Sequence, residues 1–185
     1  MSVLSRARAR VLACSVAAIA VVGGLAYAPA AGAAPLVTGS TYLALGDSLT
    51  YGYHQAQFGK ELEEKGFAEA KNYEENFVND FGATLKVLQP KLSITNLGCP
   101  GETTETFLKG SGVPGYCAGG ATGTPFPMAF LHHPYSTATT TQMEEAEAIL
   151  KANPNVSPIT LLMGANDILQ YLEHVCGFPS TYTLA

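Results

Sequence analysis

Beyond Arg10 the sequence contains no arginine, and only 14% of its 185 residues are charged. A chain without the planar guanidinium fork is a poor phosphate clamp. With the three arginines of the first ten residues set aside, seven lysines stand against fifteen acidic residues, a net charge near −8. Nucleic acid and anionic membrane surfaces are therefore poor partners, and the acidity serves solubility outside the cell. Cysteine is also scarce, and neither the spacing nor the flanks of Cys14, Cys99, Cys117 and Cys176 suit a zinc site. What is present, 47% apolar residues over this length, is globular material for one domain.

The three arginines have their own place. Arg6, Arg8 and Arg10 precede an apolar stretch from Val11 to Ala28, which runs into Ala31-Gly32-Ala33-Ala34-Pro35. Basic, apolar, then small residues is the order of a secretory signal peptide, so residues 1–34 are expected to be a leader and 35–185 the mature domain. The apolar region follows Cys14 instead of preceding it, which argues against lipidation. Spaced arginines make no twin-arginine signal. Export to an oxidising compartment, where disulfides persist, is the expectation, with no retained membrane anchor.

Three stretches carry the chemistry. Tyr42-Leu43-Ala44-Leu45 reads as a buried strand, and Gly46 then turns the backbone so that Asp47 and Ser48 stand at its carboxyl end, where open α/β sheets place their sites. A serine there can expose its hydroxyl as a nucleophile and aim its backbone N–H at the carbonyl under attack. Asn96-Leu97-Gly98-Cys99-Pro100-Gly101 follows a second apolar run, Leu92 to Leu97. Gly164-Ala165-Asn166-Asp167 follows a third, Ile159 to Met163.

With these three blocks in this order, the chain resembles the GDSL family of esterases and lipases, the SGNH hydrolases, from Thr41 to Val175. The resemblance implies a three-layer, flavodoxin-like α/β fold with a parallel sheet. It implies Ser48 as nucleophile, with the Ser48 and Gly98 N–H groups and the Asn166 side-chain amide as oxyanion donors. It also implies a secreted monomer acting on small-molecule or lipid esters, with no cofactor and no metal. The alternative function is a catalytically inactive secreted binding protein that keeps the fold remnant.

One letter of the family is missing. Its histidine lies in an Asp-x-x-His motif near the carboxyl end, and no such motif occurs here. His174 is eight residues past Asn166 on the same expected helix, and His54 is turned away from Ser48; neither is expected to act as base. The family carries about five parallel strands of which three can be placed, so the chain reads as an amino-terminal fragment, incomplete at the carboxyl end. Pairing Cys99 with Cys117 would staple the loop that carries Gly98, and Cys176 would then want a partner the chain does not contain.

The remaining segments are read as scaffold. Phe58, Leu62, Phe67 and Ala68 form the inner side of a first helix whose Glu61, Glu63 and Glu64 face solvent. Phe77, Phe81, Leu85 and Leu88 mark a second helix that packs on the sheet and is closed by Pro90. A third helix runs from Thr141 to Ala152 with Glu144, Glu145 and Glu147 outside, and Asp167 can cap a fourth. Alternation of strands and helices implies right-handed crossovers. Residues 110–134, rich in Gly and Pro, read either as a wall of the acyl pocket presenting Phe126, Met128, Phe130 and Leu131, or as a surface loop tied down by Cys117. His132 and His133, lacking acidic or cysteine neighbours in sequence, read as solvated.

Intact-mass analysis of the secreted product is expected to show a start at Ala34 or Pro35. A product that keeps Arg6 to Arg10 would overturn the reading of the leader.

Overall fold

The computed structural model describes residues 39–118 and 126–176, so the leader and its cleavage site lie outside the described residues. Strand β1, Thr41–Gly46, is buried along its whole length because it is central: β2, Ser93–Asn96, and β5, Val156–Leu162, flank it in the order β2-β1-β5. Both pairings are parallel, Thr41 opposite Ser93 on one side and Gly46 opposite Leu162 on the other. A strand covered on both edges and both faces has no polar side to show. That is why Tyr42 to Leu45 read as a continuous apolar run.

Successive side chains of β1 point to opposite faces and so found two cores. Tyr42 and Ala44 pack with Val78 and Leu85 of α3, Phe77–Leu88; Leu43 and Leu45 pack on the other face with Tyr51 and with Ala146 of α5, Gln142–Ala152. Helices thus cover both faces of a parallel sheet, an α/β arrangement. Between Thr41 and Leu43 the β5 register slips by one residue, at Pro158. Proline has no N–H for a ladder, and it sits where the ladder is already interrupted, on an edge strand.

The helices start where short polar side chains can take up orphan N–H groups. Asn76 accepts from the Asn79 N–H at 3.0 Å to open α3, and Thr141 and Glu144 form a reciprocal capping box at α5. Two further helices were not read from the sequence: α1, Ser48–Tyr51, and α4, Thr104–Lys109. The others are α2, Gln55–Lys65, and α6, Ala165–Cys176.

Several expected faces are rotated. The buried positions of α3 are Val78, Gly82 and Leu85, while Leu88 is exposed and Phe77 and Phe81 flank the contact. In α2 the carboxylate expected outside is inside: Glu61 is 7% exposed, whereas Leu62, and Phe67 just past the helix, are partly exposed at 38% and 47%. Polar satisfaction accounts for the inversion, since Glu61 accepts from the Glu69 N–H at 3.0 Å, from the Asn72 amide and from the Tyr73 hydroxyl. Glu145 is likewise buried, accepting from the Ser136 N–H at 2.7 Å and hydroxyl at 2.6 Å, with His133 at 3.1 Å. His133 is therefore engaged and not merely solvated, and His132 bonds the Tyr51 carbonyl at 2.8 Å.

Where it is described, the segment after Gly110 contributes strands and side chains to the core, with Gly112 to Pro114 exposed. Its short strands β3, Tyr116–Ala118, and β4, Phe126–Pro127, pair antiparallel, and Phe126, Met128 and Leu131 are buried in the core around Tyr51. Ring contacts of 5.3 Å from Phe126 to Tyr51 and to Phe58 fill that space.

Cys99 and Cys117 form the expected disulfide, with Cα atoms 6.2 Å apart. Cys176 is not free either. No described helix is long and apolar enough to cross a membrane. Replacing both Cys99 and Cys117 by serine is expected to lower the unfolding free energy by about 3 kcal/mol, the value for freeing a loop of this length. Urea unfolding of the double variant measures it, and an unchanged midpoint would contradict the estimate.

Candidate active site

The site residues arrive at the carboxyl ends of the three parallel strands. At the end of β1, Gly46 has φ +144°, and a Cβ there would lie 2.1 Å from the Leu162 carbonyl oxygen and 2.4 Å from Thr50 Oγ1. Only glycine fits this turn. Asp47 follows in extended conformation and caps α1, its Oδ1 accepting from the Leu49 N–H at 3.0 Å. Ser48 is thereby set as the first residue of α1, half-buried, with neither its hydroxyl nor its N–H bonded among the described residues. Tyr51, wholly buried, anchors the far end of this short helix through its hydroxyl, 2.9 Å from the Phe130 carbonyl.

The second block packs directly beneath that helix. The Cys99 N–H donates to the Gly46 carbonyl at 3.0 Å, and Asn96 Nδ2 donates to the Thr50 carbonyl at 2.8 Å. Gly98 is the point of closest approach: a Cβ there would sit 2.6 Å from the Tyr51 nitrogen and 2.9 Å from the Thr50 carbonyl carbon. Its N–H is already engaged, donating to Asn96 Oδ1 at 2.9 Å in a buried setting. The structure therefore gives Gly98 a packing reason for being glycine, and gives its N–H a different acceptor from an oxyanion.

Three residues on, the chain makes a turn that sequence reading passed over. The Glu102 N–H donates to the Cys99 carbonyl at 3.1 Å, with Pro100 and Gly101 between them and Gly101 at φ +85°. Pro then Gly at the two central positions is the signature of a type II turn, and it was available in the sequence. Gly101 is half-buried and its N–H has no hydrogen-bond partner among the described residues.

The third block closes on this turn. Asn166, buried in the first turn of α6, donates from Nδ2 to the Glu102 carbonyl at 2.8 Å, leaving its second amide hydrogen without a partner among the described residues. Asp167 does not cap its own helix as expected. Its carboxylate reaches across to α4, accepting from the Thr104 N–H at 3.1 Å and from the Thr104 hydroxyl. Ser48, Gly98 and Asn166 are thus joined by one set of contacts through Gly46 and the turn at Gly101.

Behind the site lies a polar core without a cation. Gln142 is 1% exposed and grips the Gly46 peptide on both sides: Oε1 accepts from its N–H at 2.7 Å and Nε2 donates to its carbonyl at 3.0 Å. Gln142 Nε2 also lies 3.0 Å from Glu102 Oε2 and 3.1 Å from the Tyr135 hydroxyl. Burial pushes the Glu102 carboxyl up to about 8, with Asp47 adding to the rise. Burial raises Asp47 too, more than its bond from Leu49 lowers it.

No histidine is hydrogen-bonded to Ser48 among the described residues. His54 and His174 are exposed, and His132 and His133 have the other partners given above. Nor do the described residues hold a cluster of His, Cys, Asp and Glu able to bind a metal ion. Set against protein-family models, curated proteins and solved structures, the chain finds no match in any of the three comparisons.

Gly98→Ala is expected to cost about 3 kcal/mol, the upper range for overpacking against atoms that cannot move aside. Gly101→Ala should cost only the left-handed strain of about 1–2 kcal/mol. Thermal and urea unfolding of the two variants side by side checks the order, and a Gly98→Ala protein as stable as the parent would refute the tight approach.

Proposed function

We propose that the chain is a secreted serine ester hydrolase of the SGNH type, with Ser48 as nucleophile. The observation that carries the reading is the convergence of three stretches far apart in sequence. The Ser48 turn, the Cys99–Glu102 turn and the Asn166 amide meet at one end of a parallel sheet, the end where such sheets bind ligands.

The chemistry then runs as follows. Ser48 Oγ attacks the ester carbonyl, its proton passing to a base, and the carbonyl oxygen takes up the charge. Three donors without partners among the described residues come from the stretches that converge here: the Ser48 N–H, the Gly101 N–H and the second Asn166 amide hydrogen. The oxyanion role assigned from resemblance to Gly98 passes in this reading to Gly101, because the Gly98 N–H is held by Asn96. Collapse of the tetrahedral intermediate expels the alcohol and leaves an acyl-Ser48, which water hydrolyses by the same steps in reverse order.

The step short of a residue is proton transfer. That no described histidine reaches Ser48 favours the second reading, a non-catalytic binding protein, for the 185-residue chain by itself. An external base separates the two. A serine-directed phosphonate is expected to label Ser48 slowly, and added imidazole to accelerate both labelling and hydrolysis of a short-chain chromogenic ester. Asn166→Ala should lower the imidazole-supported turnover rate by roughly a hundredfold or more with little change in Michaelis constant. Labelling at another serine, or a Ser48 that stays inert in imidazole, would favour the binding protein. An Asn166 effect confined to the Michaelis constant would reassign that residue to ground-state binding.

A further inference from the structure

Glu102 is the least satisfied buried group in the described residues. Its side chain is 0% exposed, Oε2 meets Gln142 Nε2 at 3.0 Å, and Oε1 is the one buried side-chain oxygen or nitrogen there without a hydrogen-bond partner. No described lysine pairs with it. A carboxylate so placed would carry a full charge in a dry interior with only Thr106 and the shared Gln142 amide to offset it, at a cost that a neutral acid avoids.

The surroundings reinforce that choice from every side. Asp47, on the turn after β1, is itself buried and adds negative potential at Glu102. Asp167 on α6 in turn acts on Asp47. The Tyr135 hydroxyl, ahead of α5, donates to the Leu97 carbonyl at 2.8 Å and so offers Gln142 an acceptor only, while Glu145 faces Tyr135. Thr106 on α4 and Gln142 on α5 are the only groups that favour the charged form of Glu102.

Gln142 is what gives this acid a reach. Its Nε2 carries two hydrogens and faces three acceptors: the Gly46 carbonyl, Glu102 Oε2 and the Tyr135 oxygen. A charged Glu102 would draw those hydrogens to itself; a neutral one leaves them shared with Gly46. At its other end Glu102 offers the backbone carbonyl that receives Asn166 Nδ2.

We propose that Glu102 is a positioning residue held as the neutral acid, which through Gln142 locks the Gly46–Ser48 turn to the loop that bears Gly101 and receives Asn166. It touches no substrate. The lock rests on the reading of Ser48 and Asn166 as reacting groups for its purpose, but not for its existence.

The sign of its pH dependence follows from the two states. Folded, the carboxyl holds its proton to about 8; unfolded, it releases it near the ordinary glutamate value of 4.5. The stabilisation is complete below 4.5 and is lost as pH rises towards 8, by up to about tenfold in the folding equilibrium per pH unit, and no further loss follows above that.

The test compares the 185-residue protein with E102Q and E102A across pH 5 to 9, reading unfolding equilibria and native-state hydrogen exchange at the Gly46 N–H. Glutamine keeps the shape and the acceptor facing Gln142 without a proton to lose. Parent and E102Q are expected to be alike near pH 5. The parent should then fall behind as pH rises and level off near 8, losing Gly46 protection while E102Q retains it. E102A should lose that protection at every pH. A parent that tracks E102Q throughout, or an E102Q that has lost Gly46 protection already at pH 5, overturns the proposal. Neither readout uses ester chemistry, so an unreactive Ser48 and an absent lock are separate results.

Discussion

The two-sided grip of the Gln142 amide on the Gly46 peptide is the interaction on which the rest of the site depends. Gly46 is the last residue of β1, where the chain must turn without a side chain, and its N–H and carbonyl both need partners as the ladder ends. The Gln142 amide reaches both from α5, with the Cys99 N–H as a second donor to the carbonyl. The same nitrogen lies against Glu102 and Tyr135, so the turn below Ser48, the loop below Asn166 and the start of α5 share one hydrogen-bond centre. In an interior of low dielectric such a centre is worth more than its separate pairs, and it leaves little freedom for any one arm to shift alone.

How much of this was legible in the sequence can be argued element by element. The central strand declared itself because burial on both faces demands an unbroken apolar run, and the helix from Gln142 declared itself through the spacing of Met143, Ala146, Ile149 and Leu150 and the stop at Pro154. The Cys99–Cys117 bridge and the parallel order of the sheet were also within reach. The buried carboxylates were not: Glu61, Glu102 and Glu145 each sit in a stretch whose local pattern puts acids outside, and their partners come from residues 8 to 40 positions away. Polar satisfaction by distant groups has no period.

Glycine marks a second limit of what letters alone disclose. Gly98 and Gly101 look alike in a string of letters, yet one is small because a Cβ would lie 2.6 Å from the Tyr51 nitrogen and the other so that the chain can turn left-handed. Only the neighbours distinguish the two reasons. The resemblance pointed to Gly98, whose N–H donates to Asn96, whereas the Gly101 N–H is the one without a partner among the described residues. His132 and His133 went the same way, since their partners Tyr51 and Glu145 could not be named without the fold.

The disulfide has a consequence for timing. Cys99 opens the turn that carries Gly101, and Cys117 lies in the hairpin strand β3, so the bridge ties the loop beside Ser48 to a part of the core built around Phe126. Where thiols are kept reduced, that tie does not exist, and the loop is held by hydrogen bonds alone. A chain that folds before its thiols are oxidised would therefore gain the rigidity of this loop as a late and separate step, once packing around Phe126 has brought the two sulfurs together.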